Sequence, residues 1–419
     1  MLFTHCRLIV RVLVLSFALL VLAMPAPARD ITDDAGPLFN PLTRRAVERY
    51  IKLMEGDKDQ RDSILSLYKG YRDSVQQSIS EATKKSEDFK KQQETAGAES
   101  RHLSDFKVIE AFVADAEKLE TSFLDDFKSL LRPEQAAKFD SVLRSHRRET
   151  GIRFSVMAGE GMDLCRIATT AGVDRSNPAI AEAFAEYEVA TDRLMLEKRE
   201  TFQKLFRTVA KSESAGDMPD MEMMNTVMKD IMSQSSRIRD SNRKHARTIG
   251  SLLTESQLAT WDQEIRKISY PRVYGRSIIA EAVEKSLKSE ATSEESRVEL
   301  RSILENYERD AQPINIRWAT MIDEKQASIA DKGMAAVMML GADPDANDSL
   351  MKARTARIEL DARTLERVKA TIGKTAAEAL KLETAAIDDN ITDDVMSFDE
   401  GATSYSDFQK EDDDEAAPE

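Results

Sequence analysis

Apolar residues recur along this chain at alternating steps of three and four. Ile64, Tyr68, Tyr71 and Val75 stand four, three and four apart, as do Ile180, Phe184, Tyr187 and Thr191, and again Leu300, Leu304, Tyr307 and Ala311. The second line runs on through Leu194, Lys198, Thr201 and Leu205, where Lys198 is a charged interruption expected to weaken the seam. The third runs on through Ile314, Trp318 and Met321. This spacing puts the side chains on one face of a helix and predicts a coiled-coil-like seam. Complementary lines follow downstream. One is Ile109, Phe112, Ala116, Leu119, Phe123, Phe127 and Leu130. Another runs from Met221, Met224, Met228 and Ile231 through Ser235, Ile238, Asn242, His245 and Ile249 to Leu252. The last is Met351, Ile358, Leu365 and Ile372, seven apart. The pattern predicts an all-α protein built from long antiparallel helical hairpins.

The pattern also repeats. Leu130–Arg144 and Leu252–Arg266 coincide at an offset of 122 in Leu-Leu, Gln, an aromatic, Asp, an aliphatic and Arg. Thr371-Ile372-Gly373 echoes Thr248-Ile249-Gly250, after which the third copy diverges, with Leu380 where Gln257 would fall. Self-similarity at a fixed period indicates stacked units that cannot bury their seams alone. Three tandem repeats are therefore expected, over residues 29–151, 152–271 and 272–387. Glycine and proline punctuate them. Gly97, Gly216 and Gly341 fall near the hairpin tips, and Pro178, Pro219 and Pro344 near helix starts, with Asn177 and Asp217 as nearby caps. Pro133 falls in the first turn of the helix after Leu131, and Pro271 separates the second and third repeats. Pro313 lies inside the third pattern and is expected to kink or break its helix.

The most specific short motif is Leu253-Thr254-Glu255-Ser256-Gln257. Thr254 reads as an N-cap, Gln257 as the reciprocal partner of a capping box, and Leu253 as one half of a hydrophobic staple with Leu258. Leu131-Arg132-Pro133-Glu134-Gln135 keeps Leu131 and Gln135 but has no threonine cap, and Pro133 presets φ instead. With the helical hairpins and the export signal described next, these motifs resemble the Spy/CpxP-like LTxxQ family of periplasmic helical proteins. That resemblance implies an envelope-stress protein that binds unfolded clients on a helical cradle without ATP. It covers the helical junctions rather than the whole chain, and the acidity and threefold repeat depart from a basic client cradle.

Residues 1–28 read as a secretory signal peptide. Arg7 and Arg11 precede the apolar run Val12–Met24, and Ala26-Pro27-Ala28 offers small residues for cleavage. At 13 residues the run is short for a membrane span, so an uncleaved anchor is the lesser alternative. No later stretch has spanning length, and the location expected is periplasmic or secreted. Of two cysteines only Cys165 remains after cleavage, so no internal disulfide forms; it is expected as a small buried apolar residue rather than an intermolecular bridge.

The chain has 419 residues, 32% of them charged, with 6% aromatic, 15 Gly and 11 Pro, a composition of long helices. Its net charge is −15, but residues 388–419, with thirteen acidic residues and one lysine, carry −12 of it. This segment reads as a disordered, solubilising acidic tail. Export and the lack of a strong basic face argue against nucleic acid as a partner.

Catalytic and metal-binding patterns are sparse. Glu99 and His102 have the i, i+3 spacing of di-iron bundles, but neither His146 nor His245 has the matching glutamate. Asp343–Asp348 resembles a calcium loop without its glycine and final glutamate. Gly159-Glu160-Gly161 is too bare to assign. The Met221, Met224 and Met228 cluster reads as seam, with a soft-metal site or an adaptable client surface as alternatives. His245 falls on a core-facing position beside Asn242, where a pH-sensitive seam is the alternative to a satisfied core histidine. Arg144–Arg148 is expected at a helix end, complementing its dipole, with contact to an anionic lipid or polymer as the sharper alternative. No catalytic residue and no cofactor are expected. The function expected is an exported, non-enzymatic protein that binds unfolded or envelope proteins, with a possible homo-oligomer. A structural spacer and a methionine metal binder are the alternatives.

Overall fold

The computed structural model describes residues 39–96, 105–152, 155–214, 221–275, 277–290, 292–333 and 348–382, together with residue 32. The protein is all-α, and no strand occurs among the described residues. The signal segment, the acidic tail, the three glycine tips, Pro219, Asp217, Pro344, the Glu99–His102 pair and nearly all of the Asp343–Asp348 loop lie outside them. Among the described residues no helix is long and apolar enough to cross a membrane.

The elements are α1 (Arg44–Leu53), α2 (Lys58–Ala96), α3 (Asp105–Ser129), α4 (Pro133–Ala136), α5 (Asp140–Ile152), α6 (Leu164–Thr170) and α7 (Pro178–Ser214). They continue as α8 (Met221–Gly250), α9 (Glu255–Ser269), α10 (Pro271–Tyr274), α11 (Ile278–Lys288), α12 (Glu294–Lys332), α13 (Asp348–Ile372) and α14 (Lys374–Ala379). A short helix followed by two long ones occurs at α1–α3, at α6–α8 and at α11–α13. The chain divides into two compact units. Of the described residues, one holds those within 39–150 and 202–214; the other holds those within 151–201 and 221–382.

In the first unit α2 and α3 pack in opposite directions. Gln60 near the start of α2 reaches the carbonyl of Leu130 beyond the end of α3, and Tyr71 stacks on Phe123 at 5.3 Å. The core is strongly aromatic: Phe127 is fully buried and meets Phe139 edge-on at 5.5 Å. In the second unit Tyr187 of α7 faces His245 of α8, and Glu197 of α7 meets Arg237 of α8. Ser296 at the start of α12 caps the carbonyl of Thr371 at the end of α13. One apolar cluster gathers around Phe184, Tyr187, Ile249 and Trp261, another around Leu300, Ile303, Tyr307 and Val368.

Three sequence expectations need correction. First, α12 is not broken at Pro313 but runs through it from Glu294 to Lys332. Pro313 and Arg309, whose carbonyl loses its helical partner, are both exposed, so the freed acceptor lies on the wet side. Tyr307, Ala311 and Trp318 are buried on the other side and hold both halves of the helix.

Second, the α13 seam is not the stripe of Met351 and Ile358, which are exposed. The buried line is Leu350, Ala353, Arg354, Arg357, Leu360, Asp361, Thr364, Leu365 and Val368. Its polar members are held by bonds within α13 and by Tyr307 of α12. Tyr307 donates to Asp361 at 2.7 Å, and Arg357 donates to Asp361 at 2.9 Å and to the Tyr307 hydroxyl at 2.6 Å. Counting apolar residues therefore misplaces Met351 and Ile358, while Leu365 is buried as expected and Ile372 packs on the same cluster. Third, Leu130 and Leu252 are exposed, because α3 ends at Ser129 and α8 at Gly250 and the helical period stops there.

Candidate functional site

The two Leu-x-x-x-Gln junctions share one construction. At Thr254 the side-chain oxygen of Gln257 accepts from the cap N–H at 3.1 Å, and the Thr254 hydroxyl accepts from the Gln257 N–H at 3.4 Å. Gln257 then reaches out of its own helix: Nε2 donates to the carbonyl of Gly172, just past the end of α6, at 2.9 Å. Gln135 does the same. Its Oε1 accepts from Arg132 N at 2.9 Å, while Nε2 donates to the carbonyls of Met54 and Glu55, just past the end of α1, at 2.8 and 3.2 Å. The glutamine is thus both a helix cap and a clasp on the C-terminal end of the lead-in helix, whose last carbonyls lack helical partners. Leu131 joins the first unit's core; Leu253 and Leu258 both pack on the Phe184–Trp261 cluster. The Leu and Gln positions read from sequence are placed here; the long-range clasp had no local signal.

The tyrosines of the seam secure the other end of each lead-in helix. The Tyr71 hydroxyl accepts from Leu42 N at 3.2 Å, and Tyr68 donates to Leu42 O at 3.0 Å, just before the Thr43 cap of α1. Tyr187 accepts from Leu164 N at 3.3 Å and donates to Met162 O at 3.1 Å, around the Asp163 cap of α6. Tyr307 accepts from Ser277, the cap of α11, at 3.0 Å. Burial pushes the Tyr307 phenol up to about 12.

The most unusual site lies inside the second unit. The segment Ser155–Met162 connects α5 to α6, yet it is buried almost throughout, with Glu160 and Met162 fully so. It has no regular structure of its own; side chains of two helices hold its backbone and a third holds its glutamate. From α8, Asn242 Nδ2 donates to the carbonyls of Gly159 at 3.1 Å and Glu160 at 2.8 Å. From α12, Gln326 Oε1 accepts from Ala158 N at 3.0 Å. From α7, Lys198 donates to Glu160 Oε1. The other carboxylate oxygen accepts from Val156 N at 2.8 Å and Met157 N at 3.1 Å. Gly159 has φ +83°, a conformation that side chains disfavour. Arg243 covers the segment, donating to Tyr270 and to Asp323, each at 2.9 Å.

This placement corrects two expectations. Lys198 is not a weak point of the seam but a buried ion-pair donor, and Gly159-Glu160-Gly161 is the turn that supplies its partner. Sequence periodicity flagged Lys198 as irregular and left Gly159-Glu160-Gly161 unassigned, with no means of pairing residues 38 positions apart. The α7 and α8 seams also carry polar atoms, Thr191 Oγ1, Ser235 Oγ and Asn242 Oδ1, that are buried with no partner in the structure, each at a cost in stability.

The remaining sequence candidates fall elsewhere. Met228 is buried in the α8 seam beside Ile231 and Met232; the side chains of Met221 and Met224 lie outside the described residues. Cys165 is half-buried rather than buried and apolar, and its thiol donates to Glu188 at 3.3 Å. Arg144–Arg148 is not at a helix end but within α5, because that helix continues to Ile152. There His146 is buried between Glu120, at 2.9 Å, and the hydroxyl of Tyr50, at 3.4 Å. Among the described residues no three His, Cys, Asp or Glu side chains converge as a metal site.

His245 is buried on the seam, edge-on to Tyr187 at 5.8 Å. Burial holds its pKa below the ordinary value, helped by Lys244 and opposed by Glu186. The native state therefore favours the neutral ring. Its contribution to stability is present above the unfolded value of about 6.5 and lost as pH falls toward the lower native value. Between pH 8 and 5 the urea midpoint of the wild type is expected to fall further than that of His245→Phe. Parallel pH profiles for the two proteins would remove this role.

Searches against protein-family models, curated proteins and solved structures find no match to this chain.

Proposed function

We propose that this protein is exported and acts without chemistry of its own, binding other proteins in the manner of a chaperone. The observation that carries this reading is a pair of heptad-spaced apolar stripes left in solvent. Val189 and Leu196 are 59% and 40% exposed on α7, and Met351 and Ile358 are 36% and 37% exposed on α13. Exposed apolar residues in register on a helix are a low-specificity surface for apolar segments of a partner. The glutamine-clasped junctions, with their resemblance to LTxxQ proteins, and the signal-like residues 1–28 support the same reading.

The test uses the chain from Arg29 to Glu419 and a chemically unfolded client diluted into buffer without ATP. Suppression of client aggregation at near-stoichiometric amounts is expected. Val189→Ser combined with Leu196→Ser is expected to raise the amount required at least threefold. No suppression by the wild type at tenfold excess overturns the reading. A spacer role is the second reading, favoured by α2 and α12. Each is 39 residues, or about 58 Å of helix.

A further inference from the structure

We propose that the cleft between α9 and α10 binds a free α-amino acid with a large apolar side chain, taking its carboxylate at Arg266 and its ammonium at Asp262.

The cleft encloses about 320 Å³ and is lined by Ala259, Asp262, Gln263, Arg266 and Lys267 of α9 and by Tyr274 of α10. Such a volume suits a small ligand. Residues 259, 262, 263 and 266 stand three and four apart, on one face of α9. Pro271 opens α10 directly after Tyr270 ends α9, which brings Tyr274 against that face. The aromatic wall is held from behind. Tyr274 meets Tyr270 edge-on at 6.1 Å, and the Tyr270 hydroxyl accepts from Arg243 and donates to Asp323, each at 2.9 Å. A wall fixed in advance accepts an apolar group with little ordering cost.

The charges of the cleft are kept apart. Asp262 and Arg266 have the i, i+4 spacing at which Glu284 and Lys288 of α11 form an ion pair, but they do not bond to each other. Among the described residues, the side chains of Asp262, Gln263 and Arg266 and the Tyr274 hydroxyl make no hydrogen bond or ion pair, whereas Lys267 is held by Glu264 at 2.9 Å. Arg266 lies towards Tyr274 instead: burial raises that phenol, and the guanidinium opposes the rise. The cleft thus presents a cation and an anion one helical turn apart beside an aromatic face. A simple anion leaves Asp262 unmatched, and a simple cation leaves Arg266 unmatched. An α-amino acid carries both charges on one carbon, and the guanidinium fork suits its carboxylate. The site is independent of the protein-binding reading, since it lies on different helices from the exposed stripes of α7 and α13.

The test titrates para-fluoro-L-phenylalanine against the full chain and follows binding by fluorine NMR. Saturable binding is expected. The N-acetyl form lacks the ammonium and the carboxamide form lacks the carboxylate; each is expected to bind about fivefold more weakly, the upper range for an exposed ion pair. Arg266→Gln is expected to weaken the amino acid by a similar factor and leave the carboxamide unchanged. Asp262→Asn is expected to weaken the amino acid likewise and leave the N-acetyl form unchanged. Both substitutions are on the exposed face of α9, and circular dichroism checks that helicity is kept. No saturable binding, or either variant binding the amino acid as tightly as wild type, overturns the proposal. An N-acetyl form that binds as well as the free amino acid also overturns it, in favour of a plain carboxylate site.

Discussion

Glu160→Gln is expected to destabilise the second unit by about 3–5 kcal/mol, the usual cost of breaking a buried ion pair by removing one partner. The substitution keeps the shape of the side chain and one oxygen for the Val156 and Met157 amides, so packing changes little. What it removes is the carboxylate charge bonded to Lys198, which is 3% exposed. The converse change, Lys198→Met, leaves the carboxylate buried and is expected to cost a similar amount. The double variant is expected to be much more stable than the sum of the two, because neither charge of the buried pair then remains. Urea titrations followed by circular dichroism measure all three. A loss below about 1 kcal/mol for both single variants would place the pair in the range of solvent-exposed salt bridges and contradict its burial.

Gln135→Ala is expected to cost about 2 kcal/mol, and Gln257→Ala about 1 kcal/mol, although the two residues do the same work. The difference lies in burial. Gln135 is 6% exposed, and its amide serves Arg132 N, Met54 O and Glu55 O while also meeting Gln60. Removing it leaves the Met54 carbonyl in the interior without its donor. The Gln257 clasp to Gly172 is exposed, and water replaces much of it. Denaturant midpoints resolve the two, with a common slope expected for the variants and wild type. Equal losses at the two sites would mean that the capping interaction alone sets the cost and the clasp adds nothing.

Much of this was legible from residue spacing. The lines Ile64–Val75, Ile180–Thr191 and Leu300–Ala311 are nearly all buried, and Pro133 and Pro178 open helices as their fixed φ favours. Asn177 caps α7 through Ala179 N at 3.0 Å. Spacing failed where polar residues are buried. On α13 the apolar stripe of Met351 and Ile358 faces solvent, while Arg357 and Asp361 lie inside because Tyr307 satisfies both. A rule that counts apolar residues has no entry for an ion pair within one helix turn that is buried under a tyrosine about 50 positions away.

The sequence by itself determined the helices, the seams and the glutamine junctions, because helical period and end-capping are local properties that act over four or five residues. Only the tertiary structure decided where the exceptions go. It showed that Lys198 and Glu160 complete one another, that Gln135 clasps a distant helix end, and that the linker Ser155–Met162 is buried. These depend on desolvated polar groups finding partners far along the chain. The energy of such pairs comes from burial, a property that no short stretch of sequence possesses.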